Sequence, residues 1–177
     1  GTVEMADGSD LIIDTGTGGG AINIPGVMGT SSENITLTAG TGNVTVGAIG
    51  TSTEIGDVSI TSSGNTTFSG DFTGGTLTNS GPAIVSADIT ISSTGAINFG
   101  STLDSHSGAQ TITFNSPNTD ITITGAVGGS NPFSTFKITD AGTFTYSGGG
   151  SIAGFSSAKF SRTGGLAKFN PGPAIEN

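Results

Sequence analysis

Apolar and Ser/Thr positions alternate in short runs from one end of the chain to the other. Ile35-Thr-Leu-Thr38, Val44-Thr-Val46, Val58-Ser-Ile60, Ile89-Thr-Ile91 and Ala96-Ile-Asn-Phe99 carry the pattern, as do Thr111-Ile-Thr-Phe114, Ile121-Thr-Ile123, Phe136-Lys-Ile138 and Phe144-Thr-Tyr146. A two-residue period marks a strand with one buried face. Turn-formers stand between the runs: Ala39-Gly-Thr-Gly-Asn43, Ser62-Ser-Gly-Asn65, Ser116-Pro-Asn118 and Asp140-Ala-Gly142. Gly and Asn tolerate the positive φ of tight corners. No stretch keeps helical spacing over three turns, so no long helix is predicted.

The runs recur at a near-constant period. From Ile35 to Val58, from Ile89 to Ile112 and from Ile138 to Phe160 the spacing is about 22–23 residues each time. The interval from Val58 to Ile89 is longer, roughly 31 residues, and predicts an inserted loop or an extra short strand. A longer echo is also present: Gly47–Thr61 aligns without gaps on Gly125–Thr139. Fixed-period self-similarity is the signature of a stacked repeat. The predicted fold is therefore all-β, a single parallel β-helix (β-solenoid) domain over residues 1–177 with about 22–23 residues per coil. At roughly 4.8 Å per coil, about eight coils would make a rod on the order of 40 Å long. An antiparallel β-sandwich is the alternative, because turn spacing does not fix strand direction.

Composition narrows the class. Gly is 32 of 177 residues, only 10% are charged, and Cys is absent. Recurrent Val, Ile and Phe argue against disorder, and the missing Cys excludes a disulfide framework or thiolate metal site. No apolar run approaches a membrane helix, so no membrane insertion is expected. No basic and apolar leader opens the sequence, which reads as a processed mature chain or an excised segment. The charge is −9, against nucleic-acid binding, which needs Lys/Arg patches. It is also unevenly placed. Residues 1–136 hold eleven acidic residues and no Lys or Arg, whereas Lys137, Lys159, Arg162 and Lys168 all lie beyond them.

The order strand, Ala-Gly-x-Gly-Asn or Ser-Pro-Asn-x-Asp, strand, Gly-Ala-(Ile/Val)-Gly, strand resembles the repeats of filamentous-haemagglutinin-like, autotransporter-like surface proteins. Residues 34–70 and 108–149 carry the likeness, with a fainter one over 86–107. The resemblance implies a right-handed parallel β-helix at the cell surface, used for adhesion or as an extracellular stalk. Residues 1–30 and 161–177 fall outside it and are expected to serve as caps or assembly segments.

The chemistry-bearing residues are few. His106 stands beside Asp104, Ser105 and Ser107, but a catalytic triad converges from separate segments, so these read as an exposed loop and no enzyme is predicted. Arg162 is the only arginine, which argues against a polysaccharide-active site. Asp7, Asp10 and Asp14 are hard oxygen donors and the calcium candidates, though the Gly-Gly-x-Gly-x-Asp repeat of calcium β-rolls is absent. No other cofactor is expected. Thr-x-Thr recurs at Thr36/Thr38, Thr76/Thr78, Thr111/Thr113, Thr122/Thr124 and Thr143/Thr145. Ranked on one face it would suit ice, but its irregular spacing argues against alignment. Asn34, Asn43 and Asn65 head glycosylation sequons. The expected role is a structural subunit of an extracellular filament, a homo-polymer joined end to end. The assembly residues would be Glu4, Asp7 and Asp10 at one end and Lys137, Lys159, Arg162, Lys168 and Phe169 at the other. The alternative partner is a glycan or cell surface, bound by an adhesin passenger.

Overall fold

The computed structural model describes residues 1–30, 32–107, 109–149 and 152, and the backbone strands Phe155–Phe160 and Ala167–Phe169. It is a parallel β-helix of about six turns to Tyr146, fewer than the eight expected from length alone. Seventeen strands form one continuous sheet, every pairing in it parallel, with no helix among the described residues.

The chain visits three faces in turn. The first face holds Leu11–Asp14, Ile35–Gly40, Val58–Ser62, Leu77–Asn79 and Ile97–Phe99. The second halves of Thr111–Ile123 and Thr135–Tyr146 continue it, and Ala167–Phe169 ends it. The second face begins with the first halves of Ile22–Met28 and Val44–Ile49. It continues through Thr66–Phe68, Ala83–Val85 and Leu103–Ser105. The third starts at Val3–Glu4 and takes in the second halves of Ile22–Met28 and Val44–Ile49. Phe72–Gly74, Ile89–Ser93, the first halves of the two long strands and Phe155–Phe160 complete it.

Alternation puts one side of every strand inside. Ile35, Leu37, Val44, Val58, Ile60, Leu77, Ile91, Ile112 and Ile121 are all 1% exposed or less. Inward residues stack into rows, one per coil. The first-face row runs Leu11, Ile35, Val58, Leu77, Ile97, Ile121, Phe144. Towards the C-terminal side the filling turns aromatic. Phe68, Phe99, Phe114, Phe136 and Phe144 form a chain of ring contacts 5.3–6.2 Å between centroids. Such edge and tilted pairs add to the burial term.

Coil length varies while register holds. Hydrogen bonds between equivalent first-face positions span 24, then 23, then 19 residues over the first three steps of the rod. Later steps return to the longer spacing, as between Ile121 and Phe144. The stretch from Val58 to Ile89 therefore holds no inserted loop. It contains the short strands Thr66–Phe68, Phe72–Gly74, Leu77–Asn79 and Ala83–Val85, each in register on its face, and the coils are simply tighter there. The long echo also proves to be more than whole coils. Ile35 lies on the first face and Ile112 on the third; Val44 lies on the second and Ile121 on the first. The copy is rotated by one face, because the two copies stand roughly three and two-thirds coils apart.

Corners explain the glycine content. Coils lie so close that a side chain at a corner meets the backbone of its neighbour. A Cβ on Gly42 would stand 2.2 Å from the carbonyl oxygen of Gly20, and one on Gly81 2.0 Å from that of Ser62. Buried hydroxyls close the same corners. Ser62 Oγ donates to the carbonyl of Gly42 at 2.5 Å and accepts from Gly64 N at 2.9 Å. Ser93 repeats the arrangement with the carbonyls of Gly75 and Gly95.

Several inward positions are polar, Asn79 in the first-face row and Thr66 in the second among them. Thr66 sits in the second-face row between Val44 and Ala83, and its buried hydroxyl has no hydrogen-bond partner. An unsatisfied buried hydroxyl costs on the order of 1–3 kcal/mol. Thr66→Val is expected to raise stability by about 1 kcal/mol. Urea unfolding followed by circular dichroism measures this, and a loss of stability would show that the hydroxyl is satisfied.

Candidate functional site

Three outward features are built well enough to act: a ladder of side-chain caps, an array of hydroxyls, and the open N-terminal edge.

The caps occupy the entry of each face. A strand's first outward amide points to the coil below, where no strand carbonyl meets it. An Asp or Asn carboxyl or amide oxygen from that coil fills the place. Asn34 N donates to Asp10 Oδ1, Asp57 N to Asn34 Oδ1 and Thr76 N to Asp57 Oδ1, each at 2.8 Å. The third face repeats this with Thr90 N to Asp71 and Thr111 N to Asp88, both 2.7 Å, and the second with Asn65 N to Asn43 at 3.0 Å. Much of the acidic character thus serves the stacking of coils. Sequence reading placed these acids on a solvated face or in metal and assembly roles; their signal was position, one Asx immediately before a strand.

The calcium candidates are engaged in this way or locally. Asp10 caps Asn34, and Asp14 Oδ1 accepts from Gly16 N at 2.7 Å in an Asx turn. No group of three His, Cys, Asp or Glu converges among the described residues. Asn34, Asn43 and Asn65 are all exposed at corners, with the oxygens of the first two occupied as caps. Glu33, not singled out from sequence, is a buried carboxylate that accepts from Thr30 N at 3.0 Å and Thr30 Oγ1 at 2.6 Å.

His106 is exposed, as expected, but it borders a groove of about 360 Å³ with Asp104, Ser130, Asn131, Asn65 and Ile84. Asp104 Oδ1 holds the overhanging loop through Ser130 N at 3.0 Å. Ser105 is buried and its Oγ donates to Gln110 Oε1. The groove can hydrogen-bond a polar ligand, and no Phe, Tyr or Trp lines it. Phe68, Phe72, Phe99, Phe114, Phe133, Phe136, Phe144 and Tyr146 are all in the core.

Hydroxyls are ranked on the first face. Thr36, Ser59, Thr78, Asn98, Thr122 and Thr145 are register partners in one outward column. Thr38 and Thr61 begin a second column, continued by Ser80, Gly100, Thr124 and Ser147 through ladder hydrogen bonds. The Thr-x-Thr motifs themselves do not fall in one register: Thr111 and Thr113 lie on the third face, Thr76/Thr78 and Thr143/Thr145 are offset from Thr36/Thr38 and Thr122/Thr124, and Asn98 and Gly100 interrupt the columns.

The N-terminal edge is unpaired. Among the described residues, Leu11–Asp14 pairs only with Ile35–Gly40, and Val3–Glu4 only with Ile22–Met28. Leu11 N and Thr15 N donate to the next coil, at Asn34 and Thr38. Alternation therefore aims the amides of Ile12 and Asp14 away from the rod. Val3, Leu11 and Ile13 are half-buried, whereas their row partners Val27, Ile35 and Leu37 are 1% exposed or less. Ile12 is 71% exposed, the one large hydrophobic so exposed among the described residues. Glu4, Asp7 and Asp10 all lie on this end, exposed. Of the basic residues, Lys137 is exposed on the third face, paired in register with Thr113 and Ser157, one rung inside the C-terminal edge. Lys159, Lys168 and Phe169 fall on the last strands, and Arg162 lies outside the described residues. Comparisons with protein families, curated proteins and solved structures find no match.

The hydrogen bonds from Thr76, from its backbone first and its side chain second, lower the Asp57 pKa below the usual carboxylate value. A depressed folded pKa gives stability that is present above the unfolded value, near 3.9, and lost as pH falls through the folded one. Asp57→Asn keeps the accepting oxygen, as Asn34 does one coil below, so it should fold normally at neutral pH and flatten the acid limb of stability below about pH 4. Asp57→Ala should cost about 1 kcal/mol at neutral pH, the low end for a charged cap in solvent. An unchanged acid limb in the Asn variant would overturn the assignment.

Proposed function

We propose that this chain is a structural subunit of an extracellular filament or surface fibre, assembling head to tail through its ends. The observation that carries the reading is the first rung: free amides at Ile12 and Asp14, half-buried Val3, Leu11 and Ile13, and exposed Ile12. An edge strand of this kind is a template for another strand. The Ser/Thr/Gly-rich, Cys-free composition and the resemblance of residues 34–70 and 108–149 to surface-protein repeats support the extracellular setting. The work of such a module is mechanical and needs no catalytic centre.

Ile12→Pro tests this cleanly. The amide it removes bonds nothing among the described residues, and proline is tolerated on a strand edge. The wild-type protein is expected to form filaments visible by negative-stain electron microscopy, and the proline variant to stay monomeric with an unchanged melting temperature. A wild-type protein that remains monomeric at high concentration overturns the proposal.

A second reading is favoured by the hydroxyl columns. Neighbouring rungs are about 4.8 Å apart and alternate residues about 6.6 Å. These repeats are comparable to oxygen spacings in hexagonal ice, so the first face would act as an ice-binding plane. Thr78→Lys in the middle of the array should abolish any thermal hysteresis while leaving the fold intact. No hysteresis in the wild-type protein removes this reading.

A further inference from the structure

The corner between the second and third faces lengthens along the rod. It spans residues 69–71 in one coil and 86–88 in the next, then 106–110, and then 128–134 after the bridge from Leu103 to Val127. The last of these corners overhangs the second face and is tied to it. Gly128 N donates to the Leu103 carbonyl at 2.9 Å, Ser105 N to that of Asn131 at 3.0 Å and Ser134 N to that of Gln110 at 3.0 Å, and Phe133 is buried in the core. Asp104 Oδ1 adds its bond from Ser130 N. The overhang is therefore a fixed wall, and the groove beneath it exists before any ligand arrives.

The polar groups of this groove are not used by the fold. The cap ladder shows why for one of them. Asn43 Oδ1 accepts from Asn65 N, and the next position in that column is Pro82, which precedes Ala83 as Asn65 precedes Thr66. Proline has no N–H to donate. The Asn65 carboxamide is thus released from capping, and it lines the groove. Among the described residues it makes no hydrogen bond, and neither do Thr102 Oγ1, Asp104 Oδ2, the His106 ring, Ser130 Oγ or the Asn131 carboxamide. Pro82 and Ile84, both half-buried, add a small apolar surface. Donors and acceptors around such a surface suit a ligand whose hydroxyls each donate and accept and whose ring has a C–H face. No Lys or Arg lines the groove and Asp104 adds negative charge, which disfavours an anion. A volume of about 360 Å³ is at the small end for ligand sites and far below the footprint of a protein partner. We infer that this groove binds a neutral saccharide, with Asp104 Oδ2 and the Asn65 carboxamide bonding its hydroxyls and His106, Ser130 and Asn131 completing the site. The site goes beyond the end-to-end reading and does not depend on it. With no aromatic side chain to stack on, the affinity is weak, with Kd on the order of 1 mM.

Two-dimensional NMR titration of the isotope-labelled chain tests this, with the methyl glycosides of glucose, galactose and mannose and with lactose as probes. At least one is expected to bind, and sialyllactose more weakly than lactose. Asn65→Ala removes a side chain that holds nothing among the described residues. Asp104→Asn keeps the oxygen that Ser130 N needs and turns the free one into a donor. Each is expected to weaken binding about tenfold with an unchanged melting temperature. Asn98→Ala, on the first face, should leave binding as it is. No shift with any neutral sugar at about 10 mM overturns the proposal, and so does binding that survives both groove variants. Sialyllactose bound as tightly as lactose overturns the ligand class.

Discussion

The backbone hydrogen bond between equivalent strands of successive coils is the constraint from which the rest of this structure follows. No single coil can satisfy its own strand amides or bury its own apolar side. Each must find the next coil in register. Inward residues such as Leu11 and Ile35 send their amides to the following coil, and outward residues send theirs to the preceding one. Coil length is free to vary as long as that bond is kept. The corners absorb the difference between steps of 19 and 24 residues, while the rows of Val, Ile and Phe stay straight.

The corners show what the constraint demands of chemistry. At a spacing of about 4.8 Å there is no room for a Cβ where one backbone crosses over another, so Gly42 and Gly81 are required by their neighbours more than by their own dihedrals. The ladder also leaves an orphan amide at each strand entry, and a buried donor without a partner is costly. Asp10, Asn34, Asp57, Asp71 and Asp88 fill those places. Four of the thirteen acidic residues are thus structural caps. Asn and Asp do the same work at successive levels, and the charge is incidental to the bond.

Most of the architecture was legible in the alternation of Ile35-Thr-Leu-Thr38 and its counterparts, since a buried-face pattern at a regular period admits few other folds. Alternation cannot distinguish one face from another. The echo of Gly47–Thr61 in Gly125–Thr139 looked like a repeat of coils and is a repeat of corners, displaced by one face, because all three faces ask for the same pattern. The interval from Val58 to Ile89 left an inserted loop and an extra short strand both open, and short strands are what fill it; ones such as Thr66–Phe68 and Phe72–Gly74 leave little signature to tell the two apart. The first-face hydroxyl columns and the caps were hidden because both are defined by what lies one coil away, and unequal coils remove any constant spacing between such residues. The open edge was legible only as a general property of solenoids; its particulars, Ile12 and the half-buried Leu11 and Ile13, needed the register.

The same bond that builds the interior makes the two ends different. At the N-terminal rung the open amides belong to outward residues, Ile12 and Asp14. At the C-terminal rung the ladder through Phe144 and Ala167 leaves open those of inward register positions. Joining two like ends about a two-fold axis would reverse strand direction on one face and set the other two faces against each other. The rows running from Val3 to Ala158 and from Leu11 to Ala167 would then stop at the junction. Joining unlike ends continues both rows, all strand directions and the alternation of inward and outward residues. End-to-end assembly of the kind proposed would therefore be heterologous, and such a contact, translating along the axis without closing, would generate an open filament. The acidic Glu4, Asp7 and Asp10 and the basic residues beyond 136 would act in the same direction.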